Sequence, residues 1–282
     1  MINIAICLSG EPRHWEIAAK SIKILTTSIT EDVNIDVFFH MWKETTEREQ
    51  KDINNPIVHP TNTELITKKL NPTNYIWDCK DELDSDIEKA WEYITSFDYK
   101  IPNYINTKEK LKNVTKYSNE SPCMSQLISM CKVQNIRLKH EQENNIQYDV
   151  IIRTRADIEL TTTKHKLLSL VQKEKLLRYV QFPKISLRQC ETHYNEELTK
   201  TLFIPYLEFC FFVSSSFILN KNVFENYTER LIKRCFAPNH KKEKIAVYSS
   251  HCIVPAFLRE KTKAHFGAPV ENIKYKLFQF KK

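Results

Sequence analysis

Hydrophobic positions in the first half of the chain alternate between two spacings, which predicts strands separated by helices. Apolar residues run together in short blocks at 2–9, 35–39 and 150–152, a pattern typical of strands that are buried on both faces of a sheet. Between these blocks, the segments 15–27 and 122–138 place apolar residues at helical spacing. This order predicts an α/β fold with a doubly wound, mostly parallel central sheet that is flanked by helices.

The pattern is less regular elsewhere in the chain. Residues 97–120 are polar and interrupted by proline, which predicts a long loop or a small insertion near the site. In the second half, a buried strand is predicted at 209–219 and an amphipathic helix at 220–235. A further helix is predicted at 248–259, with a kink at its proline. We expect a single domain, because the 282 residues fit one large α/β unit.

Charged side chains follow the buried block at 150–152. They occupy alternating positions and would share one face of an extended strand: Arg153, Arg155, Asp157 and Glu159. Open α/β sheets bind ligands at the carboxyl ends of their strands. Carboxylates there suit a hard divalent cation, and guanidiniums suit phosphate oxygens. The alternative is a charged face that simply meets water, but the buried start of the strand favours a site.

Glycine is scarce, and its position at the end of the first strand is informative. The chain has two glycines, Gly10 and Gly267, where average composition would give about twenty. Gly10 follows Ser9 at the first strand-to-helix turn, where a left-handed backbone or close ligand approach requires glycine. Pro12 suits the first turn of a helix, and Arg13 with the amides at that helix start would form an anion pocket. An ordinary turn with a surface arginine is the alternative.

Two further residues are expected near the same sheet edge. His40 ends the second predicted strand, so a right-handed parallel crossover brings it close to Gly10. A histidine beside aromatic residues is more often a packing residue than a ligand or a base. Gln126 lies near the amino end of the helix at 122–138, where it would reach either a ligand or solvent.

Composition and charge exclude several classes of protein. No apolar run approaches the length of a transmembrane helix, and the first residues lack the basic start of a signal peptide. The eight cysteines include no Cys-x-x-Cys pair, which indicates reduced thiols rather than a disulfide frame or a zinc site. We therefore expect a cytoplasmic protein. The formal charge of +7 comes from widely spread lysines, which argues against a nucleic-acid partner.

Four motifs occur in an order that resembles a known family. They are Ser9 to Arg13, Asp36 to Trp42, Ser125 to Met130 and Tyr148 to Asp157. Together they resemble glycosyltransferase-like proteins of bacterial surface-polysaccharide clusters, large DNA viruses and phages. The resemblance covers the first 160 residues and extends more loosely to 209–219. A viral protein in the host cytoplasm and a protein peripheral to a membrane are therefore further possibilities for its location.

The resemblance implies a GT-A-like, Rossmann-like fold. Residues 1–160 would bind a nucleotide-sugar donor, and residues 161–282 would form an acceptor-side extension. The implied reaction transfers the sugar to a glycan, a lipid-linked acceptor or another hydroxyl, with Mn²⁺ or Mg²⁺ as cofactor. Asp157 and Glu159 match the family's Asp-x-Asp metal motif, although glutamate replaces the second aspartate.

The candidate site residues follow from the motifs and the resemblance together. Those expected at the donor are Ser9, Gly10, Arg13, His40, Gln126, Arg153 and Arg155. Asp157 is the expected catalytic residue and metal ligand.

An inverting transferase also needs a base that takes the acceptor's proton. Candidates for that role are Glu208, His251 and His40, and a retaining mechanism stays open. Two other classes stay open: a non-catalytic nucleotide- or glycan-binding protein, which the Glu159 replacement supports, and a nuclease-like protein, which would bind polynucleotides with steep salt dependence.

Overall fold

The architecture was obtained from a computed structural model. The structure describes residues 2–27, 33–46, 56–117 and 124–160, and beyond them the short segments 201–203, 212–214, 233, 235–239, 243–247, 265–267 and 275–277. The predicted helix at 248–259 lies outside the described residues, as does most of the predicted helix at 220–235.

Strands and helices alternate along the described chain. The strands are β1 (Ile2–Gly10), β2 (Val33–Trp42), β3 (Glu44–Thr46), β4 (Val58–Pro60), β5 (Asn74–Asp78), β6 (Val150–Thr154), β7 (Ile158–Leu160), β8 (Thr201–Phe203), β9 (Phe212–Ser214), β10 (Phe236–Asn239), β11 (Lys244–Val247), β12 (His265–Gly267) and β13 (Tyr275–Leu277). The helices are α1 (Trp15–Thr27), α2 (Thr63–Leu70), α3 (Asp84–Thr95), α4 (Lys108–Tyr117) and α5 (Met124–Asn144), with a 3-10 helix at Lys80–Leu83.

The central sheet confirms the prediction of a mixed α/β fold with a parallel core. Four strands pair in parallel in the order β5-β2-β1-β6. On the outer side of β6 the sheet continues through β9, β8 and β12, and β9 runs antiparallel to both β6 and β8. Because β1 lies between β2 and β6, the chain leaves β1 in one direction and later returns to its other side. The strand order therefore reverses between β1 and β6.

Two hydrophobic clusters cover the two faces of this sheet. Alternate residues of β1 enter different clusters, as the two-residue period of a strand requires. One, the α1-side cluster, joins Ile4, Ile6 and Leu8 to α1 and α2. The other, the α5-side cluster, joins Ala5 and Cys7 to the apolar sides of α3, α4 and α5. Among the described residues, no helix has the length and apolar character needed to cross a membrane.

The long loop predicted at 97–120 is wrong in its central part, because α4 occupies residues 108–117. Leu111 and Val114 lie one helical turn apart and are buried in the α5-side cluster. Lys116 is also buried, where its ammonium forms ion pairs with Asp81 and Asp84. Tertiary contacts thus stabilise a helix whose polar composition indicated a loop.

Candidate functional site

The point where the strand order reverses brings two loops together. In the register of β1 against β6, Leu8 pairs with Thr154, so Ser9 and Gly10 lie beside the residues that follow Thr154. Open α/β sheets bind ligands in the crevice beyond the carboxyl ends of the strands at such a reversal. We call residues 9–13 and 153–157 the switch-point edge and take it as the candidate site.

Arg153 joins the two strands of the switch-point edge. Its side chain is directed toward Ser9, and Nε and Nη2 donate to Ser9 Oγ at 3.1 and 2.7 Å. Arg153 is only 2% exposed. The two hydrogen bonds to Ser9 fix the position of the guanidinium. The predicted donor-binding residues Ser9 and Arg153 are therefore in direct contact.

The predicted row of four charges on one face is wrong, because β6 ends at Thr154 and the chain turns at residues 155–157. The turn is favoured by the burial of Ala156 and Ile158 in the α1-side cluster. Arg153 thus lies on the sheet, whereas Arg155 and Asp157 belong to the turn.

Arg155 and Asp157 form a pair within that turn. Nε of Arg155 donates to Asp157 Oδ1 at 2.8 Å, and Nη2 donates to Oδ2. The Asp157 side chain is 3% exposed, so its charge needs such a partner. The backbone of Glu159 lies in β7 and pairs with Lys276 of β13, but the Glu159 side chain is not among those described.

The position of Arg155 disfavours metal binding at Asp157. Each carboxylate oxygen accepts a hydrogen bond from Arg155, so a metal ion bound to a remaining lone pair would lie close to the guanidinium charge, which opposes its binding. The described part of the chain contains no group of three or more His, Cys, Asp or Glu side chains placed to hold a metal ion. The Mn²⁺ or Mg²⁺ cofactor stays a prediction.

Glu11 organises the loop between β1 and α1. Its carboxylate accepts from Arg13 Nε at 2.6 Å, from Thr46 N and Oγ1 at 3.1 and 2.8 Å, and from the ammonium of Lys80. Arg13 Nη2 also donates to Thr46 Oγ1 at 2.7 Å. Burial alone would raise the pKa of Glu11, but the charges of Lys80 and Arg13 hold that pKa below its usual value. The predicted anion-binding Arg13 therefore belongs to an ion network, and Glu11 was not predicted as a site residue.

His40 lies behind the Gly10 turn rather than at its surface. It is 0% exposed, its Nδ1 lies 2.8 Å from Ser129 Oγ, and its Nε2 lies 3.0 Å from Asp78 Oδ2. Gly10, with φ of +109°, donates its N–H to the same Ser129 Oγ at 2.7 Å. Both ring nitrogens of His40 are thus engaged inside the protein, and its connection to the candidate site runs through Ser129.

The pH dependence of the free energy of unfolding should reflect the protonation of His40. Burial lowers its pKa below the usual value, and the hydrogen bond to Asp78 offsets this only in part. The unfolded chain then binds the proton more readily, so stability is present above the unfolded pKa of about 6.5 and is lost as the pH falls below it. Urea unfolding between about pH 7.5 and 5.5 should show this loss in the wild type. His40→Gln should have a shallower slope, and equal slopes would contradict the assignment.

The remaining candidates are less well placed. Gln126 lies in the first turn of α5 and is half-buried. Glu208 and His251, the other candidate bases, lie outside the described residues. Ser129 was not predicted as a site residue, although a serine among the apolar positions of a core helix is a usable signal.

Sequence comparisons with known proteins add no information about these residues. No protein-family model matches the chain, and no curated protein matches its sequence.

Proposed function

We propose that this protein is a glycosyltransferase of the GT-A type whose nucleotide-sugar donor binds its diphosphate at the switch-point edge. One observation carries the proposal. Arg153 is buried and bonded to Ser9 where the strand order reverses, so a fixed cation lies at the position where α/β sheets of this topology bind ligands.

A diphosphate suits this edge because guanidiniums bind phosphate oxygens in a planar, two-pronged geometry. Arg153 contributes a guanidinium that its contact with Ser9 holds in place. Arg155 is half-buried in the adjacent turn and already binds a carboxylate, whose two oxygens resemble those of a phosphate. Phosphate oxygens would compete with Asp157 for the same donors.

The proposed sugar transfer depends on where negative charge develops as the sugar–phosphate bond breaks. The acceptor oxygen bonds to the anomeric carbon while the bond from that carbon to the diphosphate oxygen breaks, and the leaving diphosphate gains negative charge. The fixed guanidinium of Arg153 would stabilise that charge as it develops with little reorganisation, whereas Arg155 would first exchange its bonds to Asp157 for bonds to phosphate. The acceptor hydroxyl loses its proton to a base, for which Glu208 and His251 remain the candidates. A divalent ion at Asp157 would add positive charge at the same oxygens.

A non-catalytic nucleotide- or glycan-binding protein is the second candidate function. The observation that favours it is the Arg155–Asp157 pair, because a guanidinium already bonded to both oxygens of the expected metal ligand opposes the binding of a metal ion there. A binder would hold the diphosphate as a transferase does, but it would not break the sugar–phosphate bond.

A screen of nucleotide-sugars with and without Mn²⁺ tests both functions. We expect one nucleotide class to raise the melting temperature, because a ligand that binds only the folded state stabilises it. For a transferase, free nucleoside diphosphate should also be released. Asp157→Asn should abolish any Mn²⁺-dependent part of that release while keeping the wild-type fold. Stabilisation without release would identify a binding protein, and no stabilisation by any nucleotide would overturn the proposal.

A further inference from the structure

A chain of hydrogen bonds connects the glycine turn to the protein interior. Gly10 N donates to Ser129 Oγ at 2.7 Å, and Ser129 Oγ lies 2.8 Å from His40 Nδ1. His40 Nε2 lies 3.0 Å from Asp78 Oδ2, which also accepts from Lys132. The chain therefore joins β1, β2, β5 and α5 through four side chains and one backbone amide.

The single hydrogen of the Ser129 hydroxyl determines which of its neighbours it can donate to. The hydroxyl has one hydrogen, while its oxygen lies within bonding distance of Gly10 N, His40 Nδ1 and, at 2.9 Å, the His40 carbonyl oxygen. With neutral His40, Nε2–H donates to Asp78 and Nδ1 accepts the hydroxyl hydrogen. With protonated His40, Nδ1–H donates to Oγ and the hydroxyl hydrogen turns to the carbonyl. Ser129 Oγ accepts the Gly10 N–H in both states.

The surroundings favour the neutral state at ordinary pH. His40 and Ser129 are both fully buried, and burial lowers the pKa of His40. The charged groups that face the imidazole are Asp78 from β5 and Lys132 from α5, while the Trp42 ring meets it edge-on with centroids 4.9 Å apart. Asp78 thus fixes the tautomer that makes Nδ1 an acceptor, and this orients the hydroxyl.

The hydrogen bond from Gly10 to Ser129 stabilises a turn with an unusual backbone conformation. Gly10 has a φ of +109°, in the region that L-residues avoid, and glycine is the most flexible residue in an unfolded or loose turn. A hydrogen bond to a buried side chain restricts Gly10 to one conformation. The residues on either side, Ser9 and Glu11, in turn hold Arg153 and Arg13.

We propose that Ser129, oriented by His40 and Asp78, is a positioning residue that fixes the Gly10 turn and thereby aligns the arginines of the switch-point edge for an anionic ligand. The inference rests on the proposed function for the identity of that ligand, a nucleoside diphosphate. The contact between Ser129 and Gly10 can be tested without any ligand.

Selective labelling makes this contact measurable, because Gly10 and Gly267 are the two glycines of the chain. Full-length protein made by cell-free synthesis with ¹⁵N-glycine should give two backbone amide signals, and Gly267→Ala identifies that of Gly10. In Ser129→Ala we expect the Gly10 signal to shift and its amide to exchange with solvent about tenfold faster. Ser129→Thr, which keeps the hydroxyl, should restore much of the protection. An unchanged Gly10 signal in Ser129→Ala would overturn the proposal.

A matched control separates positioning from general loss of a buried hydroxyl. Ser21→Ala removes a buried serine hydroxyl on α1 that donates to the carbonyl of Ile17 in its own helix. It should leave the Gly10 signal in place. If Ser129→Ala does not fold, Asp78→Asn at the partly exposed end gives the second measurement. The Asp78 charge favours protonated His40, so its loss should move the pH midpoint of the Gly10 signal to lower pH. An unchanged midpoint would overturn the proposed path from Asp78 through His40 and Ser129 to Gly10.

Titration with UDP, GDP, ADP and CDP then tests the link to the ligand. For the nucleotide that binds best, Ser129→Ala should raise Kd by about tenfold, whereas Ser129→Thr and Ser21→Ala should stay near the wild-type value. If the wild type binds and Ser129→Ala binds equally well, the positioning role fails while the proposed function survives. If the wild type binds none of the four, the proposed function and the positioning role for this ligand both fail, although the Gly10 amide still decides whether the contact exists.

Discussion

Replacing Glu11 with glutamine should reduce the free energy of unfolding by about 3–5 kcal/mol, the usual result of breaking a buried ion pair by removing one partner. The ammonium of Lys80 is 2% exposed and contacts the Glu11 carboxylate. Without that charge, Lys80 must either stay buried as a cation with only the weaker influence of Glu44 or lose its proton. Burial already lowers the pKa of Lys80, and Glu11 is the main group that opposes this. Urea unfolding measured at neutral pH gives the value.

Two further variants show whether the loss comes from this pair. Lys80→Met combined with Glu11→Gln should be less destabilised than the sum of the single changes, because neither buried charge then remains unpaired. Glu143→Gln breaks the exposed Lys139–Glu143 pair on α5 and should cost no more than about 0.5 kcal/mol. Equal losses for Glu11→Gln and Glu143→Gln would show that the Glu11 network contributes as little as a surface pair.

The parallel core and the edge taken as the candidate site could be predicted because both depend on local pattern. Buried blocks separated by amphipathic segments indicate parallel strands with crossover helices, and the chain then places the ends of β1 and β6 at one edge. Gly10 was identifiable because glycine is so scarce here. Its φ of +109° confirms that the turn uses the conformational freedom of glycine.

The partners of the site residues could not be predicted, because they are distant in sequence. Gly10 and Ser129 are 119 residues apart, and Glu11 and Lys80 are 69 apart. No spacing rule connects such positions. The end of β6 was missed for a related reason: alternation of charges continues past Thr154 in the sequence, but the packing of Ala156 against α1 turns the chain.

The two loops of the switch-point edge share an arrangement that bears on ligand binding. Each contains an arginine bonded to a carboxylate two residues away, Arg13 to Glu11 and Arg155 to Asp157. These pairs keep buried or half-buried charges compensated when no ligand is bound. Arg153 differs in its position, since it lies on the sheet, is 2% exposed and donates to the Ser9 hydroxyl. It is therefore the arginine that lies directly at the strand reversal, where sheets of this topology bind ligands.

Arg153→Gln should accordingly weaken nucleoside diphosphate binding by about 10- to 100-fold, the range expected for loss of a charge-assisted hydrogen bond in a buried site. Isothermal titration with the nucleotide that binds the wild type best gives the affinity. Lys139→Gln removes the same unit of charge from an exposed position on α5 and should leave Kd unchanged. The comparison separates a positioned guanidinium from the general attraction of a basic protein, which salt screens.

Arg153→Lys and Ser9→Ala divide the effect between charge and geometry. Lysine keeps the charge but lacks the planar fork, so most of the loss in affinity should remain if Arg153 binds phosphate through paired N–H groups. Ser9→Ala keeps the arginine but removes the oxygen that fixes Nε and Nη2, and it should give an intermediate loss. If Arg153→Gln binds like the wild type while folding normally, the diphosphate does not bind at this arginine. The switch-point edge would then lose the observation on which its assignment as a donor site depends.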